Sequence, residues 1–378
     1  AQSSEGCVGT DRTITAISAT GFDSAVRVIS TQIIIAGRID GGTGTVQLAP
    51  SQAQAIAVGD EALIAYTIEE VELNRVATTG TLIVGSDEVI LINVAGLNHT
   101  RTGPTEIRCR SASCYIMVYR VLDPVTAELG RNVTFAGPLS LIASDGIFVT
   151  TATLDVGGGL TVDANYDSAG AEVFFCPDGN KKPSCTSDND CSRNLCGDGV
   201  TFCDGGQSEC TGTLCFVPSA PGRCASQAHF LVNQRISLAS GSLDVTADTI
   251  TINSTAETYP PAIITLGTNG AAAVRPKTAR RMRLGLHSGL EPYGLYVVAG
   301  KEMEVAQATL DRIETTGQLT IGGSAATTVW MRGVTRNTVG GLYVEATNLA
   351  GAKIDINASG CASEAACAVS TLGPLSLT

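Results

Sequence analysis

Cysteine is the residue in this chain best suited to covalent chemistry, and eight of its thirteen copies crowd between Cys176 and Cys224. They are Cys176, Cys185, Cys191, Cys196, Cys203, Cys210, Cys215 and Cys224, and no two are separated by only two residues, the spacing that zinc ribbons and fingers use. Four disulfide bridges are therefore expected there, with about 105 pairings open. Two further close pairs, Cys109 with Cys114 and Cys361 with Cys367, are expected to bridge as well. Cys7 is left over, to stay free, bond another chain or be buried as a small apolar residue. Disulfides persist in oxidising compartments, so the chain is expected to be secreted and to sit outside the cell or at its surface.

Other chemistry is thinly represented. His99, His229 and His287 are isolated and are expected to be lone surface histidines, with no His-x-x-x-His pair to hold a metal. No Gly-x-Ser-x-Gly elbow, Walker loop or dinucleotide glycine fingerprint occurs. The stretch from Gly294 to Lys301 imitates a phosphate loop but has one residue too many between its glycines and Glu302 where Ser or Thr is needed. Asp188 and Asp190, near Asp178, Asp198 and Asp204, offer oxygen ligands that would suit calcium, although they fit no EF-hand spacing and read more simply as solvated turn acids. No other cofactor is expected, and the chain does not read as an enzyme. One basic patch, Arg275, Lys277, Arg280, Arg281 and Arg283, stands on a chain of net charge −12 and could dock an acidic neighbouring subunit or an anionic glycan. Asn98, Asn132, Asn253 and Asn357 head Asn-x-Ser/Thr sequons, which admits glycosylation. The acidic balance argues against nucleic acid as a partner, and no apolar run approaches the roughly 18 to 20 residues of a membrane helix.

The elements that would position these residues are β-strands. Only 4% of the 378 residues are aromatic and 16% charged, while 42 glycines separate short runs rich in β-branched residues. Between Val133 and Asn165 such runs recur tightly, as in Leu139-Ser140-Leu141-Ile142, Gly146-Ile147-Phe148-Val149 and Leu160-Thr161-Val162. Alternation puts one face of each run inward. Leu73-Asn74-Arg75-Val76-Ala77-Thr78-Thr79-Gly80 returns as Leu310-Asp311-Arg312-Ile313-Glu314-Thr315-Thr316-Gly317, and Gly137-Pro138-Leu139-Ser140-Leu141 returns as Gly373-Pro374-Leu375-Ser376-Leu377. The two displacements agree to within a single position, which points to tandem copies of a large unit, a property of folds that stack.

The organisation expected is a β-rich segment over 1–132, solenoid coils over 133–170, a cysteine-rich module inserted over 171–229, and further coils over 230–378. Asp123-Pro124 to Gly130 carries helix start and stop signals and predicts one short helix. Lys301 to Ile313 has apolar residues at helical spacing, but its copy at Leu73 runs into a strand, so a turn and strand are expected there.

Runs such as Ile236-Ser237-Leu238-Ala239-Ser240-Gly241-Ser242-Leu243-Asp244-Val245, together with the duplicated unit, resemble filamentous-haemagglutinin-like secreted proteins. That resemblance implies an all-β, right-handed parallel β-helix. At about 20 residues per coil, the roughly 300 residues outside the inserted module would make about 15 coils and a rod of about 70 Å. Exposed solenoid edges are unpaired backbone templates. The expected function is therefore a structural subunit whose partner is itself, polymerising head to tail into an extracellular filament by joining Leu375 and Leu377 to Ile14 and Ile17 of the next copy. An adhesin-like rod binding glycan or receptor through the cysteine-rich module or the basic patch is the alternative. A polysaccharide-active β-helix enzyme is the third.

Overall fold

The structure is a computed structural model that describes residues 12–14, 16–18, 25–60, 66–111, 114–121, 130–164, 174–175, 181–182, 194–195, 202–203, 229–252, 262–277, 279–285, 302–347, 352–356 and 368–378. It is an all-β parallel solenoid. Each coil contributes a strand to each of three walls, and the strand pairings within those walls are parallel. The first wall is one eleven-stranded sheet running from Val26–Ser30 to Leu375–Leu377. Eleven strands at about 4.8 Å per step make a stack of roughly 48 Å, shorter than the rod expected from sequence. The reason is coil length. The steps from Val26 to Val46, from Leu82 to Thr105 and from Leu139 to Leu160 are about as short as expected, but those from Val46 to Leu82 and from Thr105 to Leu139 are much longer, because additional segments depart from the plain coil there.

The core is a set of apolar columns. Leu82, Leu139, Leu160, Leu243, Leu319 and Leu342 lie in one register column of the first wall; Val84, Ile107, Leu141, Val162, Val245, Ile321 and Val344 lie in the next inward column, and all are essentially buried. Alternation supplies this directly: strands such as Leu139–Ala143 and Leu243–Ala247 bury every second side chain. Burying one such Leu or Val contributes about 1.5–3 kcal/mol, so the columns carry the fold with few aromatic residues.

The long cysteine-rich segment is an excursion between adjacent coils. Leu160–Ala164 pairs residue for residue with Leu243–Ala247, and Gly146–Val149 with His229–Val232, so the walls close above and below it. Its described parts are two short antiparallel pairs, Phe174–Phe175 with Lys181–Lys182 and Asn194–Leu195 with Phe202–Cys203.

One local expectation is corrected. In the first copy of the duplicated unit, Glu70–Leu73 forms one turn of helix (α1) immediately before strand Val76–Ala77. The second copy repeats it: residues 302–314 form strand Glu302–Ala306, a one-turn helix Gln307–Asp311 (α2) and strand Ile313–Glu314, not a turn and strand alone. Each helix leads into the duplicated residues that run into strand; of the helically spaced Met303, Ala306, Leu310 and Ile313, Leu310 alone lies in the helix and the others lie in the flanking strands. The short helix expected over 123–130 lies outside the described residues.

Candidate assembly surface

In the last described coil the apolar columns reach solvent. Leu375 pairs with buried Leu342 and Leu377 with buried Val344, yet Leu375 and Leu377 are 40% and 41% exposed. In the second wall Ile356 pairs with buried Met331 and is 53% exposed. These three side chains continue the inward columns and have no further coil against them among the described residues. Sequence reading named Leu375 and Leu377; it missed Ile356, which the alternation of Lys353-Ile354-Asp355-Ile356 would have supplied. At the opposite end Ile14 and Ile17 pair with buried Ile35 and Ile39, are half-buried, and pack against the core.

The coil that begins with α1 holds a polar network that sequence reading did not assemble. His99 is not a surface histidine but fully buried. Its Nδ1 donates to Asn74 Oδ1 at 3.0 Å, Nε2 has no hydrogen-bond partner, and its ring meets Phe135 edge-on at 5.7 Å. Asn74 Nδ2 donates to the carbonyl of Asn98, and the Asn98 and Thr100 amides donate to Glu70 Oε2 and Asn74 Oδ1. Arg131 bridges Asp60 and Glu70 at 2.8 and 3.0 Å. Burial, with the Arg101 cation adding to it, lowers the His99 pKa to about 4, so the ring is neutral near pH 7. Burial likewise pushes the Tyr66 phenol up, and its hydroxyl donates to the Ala49 carbonyl at 3.1 Å.

The five basic residues do not form a single solvated patch. Arg275 pairs with Asp244, Lys277 with Asp163 at 2.9 Å, and Arg280 with Asp248 at 2.7 Å, the last pair being almost completely buried. Each of these carboxylates belongs to an earlier coil, so the cations tie the stack together along its axis. Arg281 and Arg283 instead flank the ring of Trp330, the chain's one tryptophan, at 5.5 and 5.3 Å from its centroid.

Cys109 and Cys114 form the expected disulfide, both residues buried. The pairing of the remaining cysteines and the state of Cys7 fall outside the described residues. Asn98 and Asn132 are exposed; Asn253 and Asn357 lie outside the described residues, as do Asp178, Asp188, Asp190, Asp198 and Asp204 and the calcium site they suggested. Among the described residues no group of three or more His, Cys, Asp or Glu could hold a metal ion, and no helix is long and apolar enough to cross a membrane. No protein-family model, curated protein or solved structure matches the chain.

Proposed function

We propose that this chain is a secreted structural protein of the filamentous-haemagglutinin-like kind, whose solenoid joins end to end with further copies of itself in an extracellular filament or surface fibre. The observation that carries this reading is the stack itself: Leu342 with Leu375, Val344 with Leu377 and Met331 with Ile356 pair strand on strand along one axis, a geometry that a coil of another copy can extend. The sheet edge beside them offers backbone donors and acceptors for another parallel strand. An end that fits a different surface on the next copy repeats without closing, which produces a filament. The buried Cys109–Cys114 bridge supports an oxidising compartment.

The alternative, a rod that binds glycan or receptor through the cysteine-rich module or the basic patch, is narrowed at the patch, where Arg275, Lys277 and Arg280 are engaged within the stack. The test is the assembly state of the purified chain. Sedimentation and negative-stain microscopy across a concentration series should show linear end-to-end oligomers, and Leu375→Asp with Leu377→Asp should shift them to monomers with an unchanged β-sheet spectrum. Monomers at every concentration would overturn the reading.

A further inference from the structure

Two of the three walls break twice, at matching places, while the first wall never breaks. In coil order the second wall is a two-, a seven- and a four-stranded sheet, and the third wall a three-, a six- and a two-stranded sheet. At the first break Ile33–Ile35 is not bonded to Tyr66–Ile68, nor Val76–Ala77 to Asn98–His99; at the second, Thr249–Ile252 is not bonded to Glu302–Ala306, nor Ile313–Glu314 to Thr335–Arg336. Tyr66, Val76 and Asn98 precede Met303, Ile313 and Thr335 by one common displacement, the same one that relates the two copies of Thr-Thr-Gly. Six first-wall strands lie between the breaks.

What lies before each break is also equivalent, although the sequence hardly shows it. The Ile39 amide donates to the Arg75 carbonyl at 3.1 Å, as Ile264 does to Arg312 at 2.8 Å. Val46 donates to Thr81 at 3.0 Å, as Ala272 does to Gln318 at 2.8 Å. The turns Gly41–Gly44 and Gly267–Gly270 close with the same amide-to-carbonyl bond, 2.9 Å in both, and the Thr78 and Thr315 hydroxyls donate to the Gly44 and Gly270 carbonyls. Arg75 and Arg312 reach back to the carbonyls of Ile35 and Ala262. Independent contacts thus pair residues 35–46 with 262–272, at a displacement shorter than the one that relates the duplicated motifs.

We infer that the solenoid is a tandem array of six-coil units, that residues 12–50 are the closing coils of one unit in the same sense as 229–276, and that a unit's closing coils and the start element of the next are mutually fitting surfaces. The start element is an extra edge strand, one turn of helix, an arginine and Thr-Thr-Gly. The partner that fits a unit's closing coils is therefore a unit start, on the same chain or on a second copy. This goes beyond end-to-end assembly and holds whether or not chains polymerise.

Interchange of start elements within the full chain tests it. In one variant the sequence of Met303–Gly317 replaces Tyr66–Gly80; in a second, Asn98→Thr, His99→Arg and Thr100→Asn are added, supplying the residues that α2 meets in its own coil. The first graft should lower the melting temperature, because Glu70 and Asn74 lose their places against residues 98–100. The second should recover at least half of that loss. The same segment grafted one position out of register should abolish cooperative melting. A paired graft that melts no higher than the single graft, or an in-register graft as damaging as the shifted one, would overturn the inference.

Discussion

The two joints solve one geometric problem with different side chains. At the first, carboxylate and amide groups hold α1 to the coils on both sides: Glu70 and Asn74 accept from Asn98, His99 and Thr100 of the following coil, and Glu72 accepts from the Ile35 amide of the preceding one. At the second, Gln307 exchanges two hydrogen bonds with the Thr335 backbone, and Arg336 donates to the Leu310 and Ile313 carbonyls at 2.7 and 2.9 Å. His99 and Arg336 occupy the same place in the two joints, each second in the third-wall strand of the coil that follows its helix. The residues that do not vary are those set by backbone geometry: Arg75 and Arg312, Thr78 and Thr315, Gly80 and Gly317. Backbone approach is preserved, while the polar contacts that lock it are free to change chemistry.

The most damaging way to break this equivalence is at the glycine that bends each following strand. Gly85 and Gly322 both have φ +105, and an added Cβ would lie 2.1 Å from the Arg108 carbonyl oxygen or 2.0 Å from that of Glu345. Gly85→Val and Gly322→Val should each cost about 3–4 kcal/mol, read as a fall in the urea midpoint. Equal losses would support equivalent joints; a tolerated valine at one of them would separate the two. The next effect divides them. Arg336→Met leaves two buried carbonyls without their donor and should cost about 2–3 kcal/mol, whereas His99→Met loses one hydrogen bond and should cost about 1 kcal/mol.

Much of this was legible in the sequence, and the illegible part has a physical cause. Strand alternation, glycine turns and the Arg…Thr-Thr-Gly repeat revealed a stacked β fold and its duplication, because those residues answer to local backbone constraints. The equivalence of residues 12–50 with 229–276 was not visible, since inward positions accept any aliphatic side chain of suitable size: Val46 and Leu48 answer to Ala272 and Val274. Nor could the basic patch be read correctly. Arg275, Lys277 and Arg280 look like a surface cluster until coil stacking brings Asp244, Asp163 and Asp248 from distant positions in the chain to meet them.

Acid should distinguish the joints next. His99 is held neutral in the fold, with a pKa of about 4 against roughly 6.5 when unfolded. Its contribution is complete above pH 6.5, declines as pH falls toward 4, and is gone below that. Between pH 7.5 and pH 5 the wild-type chain should lose about 2 kcal/mol that a His99→Gln variant does not lose, measured as the difference in their urea unfolding free energies. Arg336, cationic throughout that range, gives the second joint no such dependence, so an Arg336→Gln variant should keep the wild-type slope.

The smallest test concerns the contact that both joints share. The Thr78 and Thr315 hydroxyls each accept from the glycine amide two residues on, Gly80 and Gly317, at 2.9 and 3.0 Å, while donating to a glycine carbonyl in the coil below. Valine keeps the shape and β-branching but removes both bonds, leaving a half-buried amide and a buried carbonyl to find other partners. Thr78→Val and Thr315→Val should each cost about 1–2 kcal/mol. The double variant should lose the sum, because the two threonines sit in separate joints with no shared contact. A double loss well above the sum would mean the joints communicate through the unbroken first wall, and the stack would then have to be treated as one cooperative rod, not as units in series.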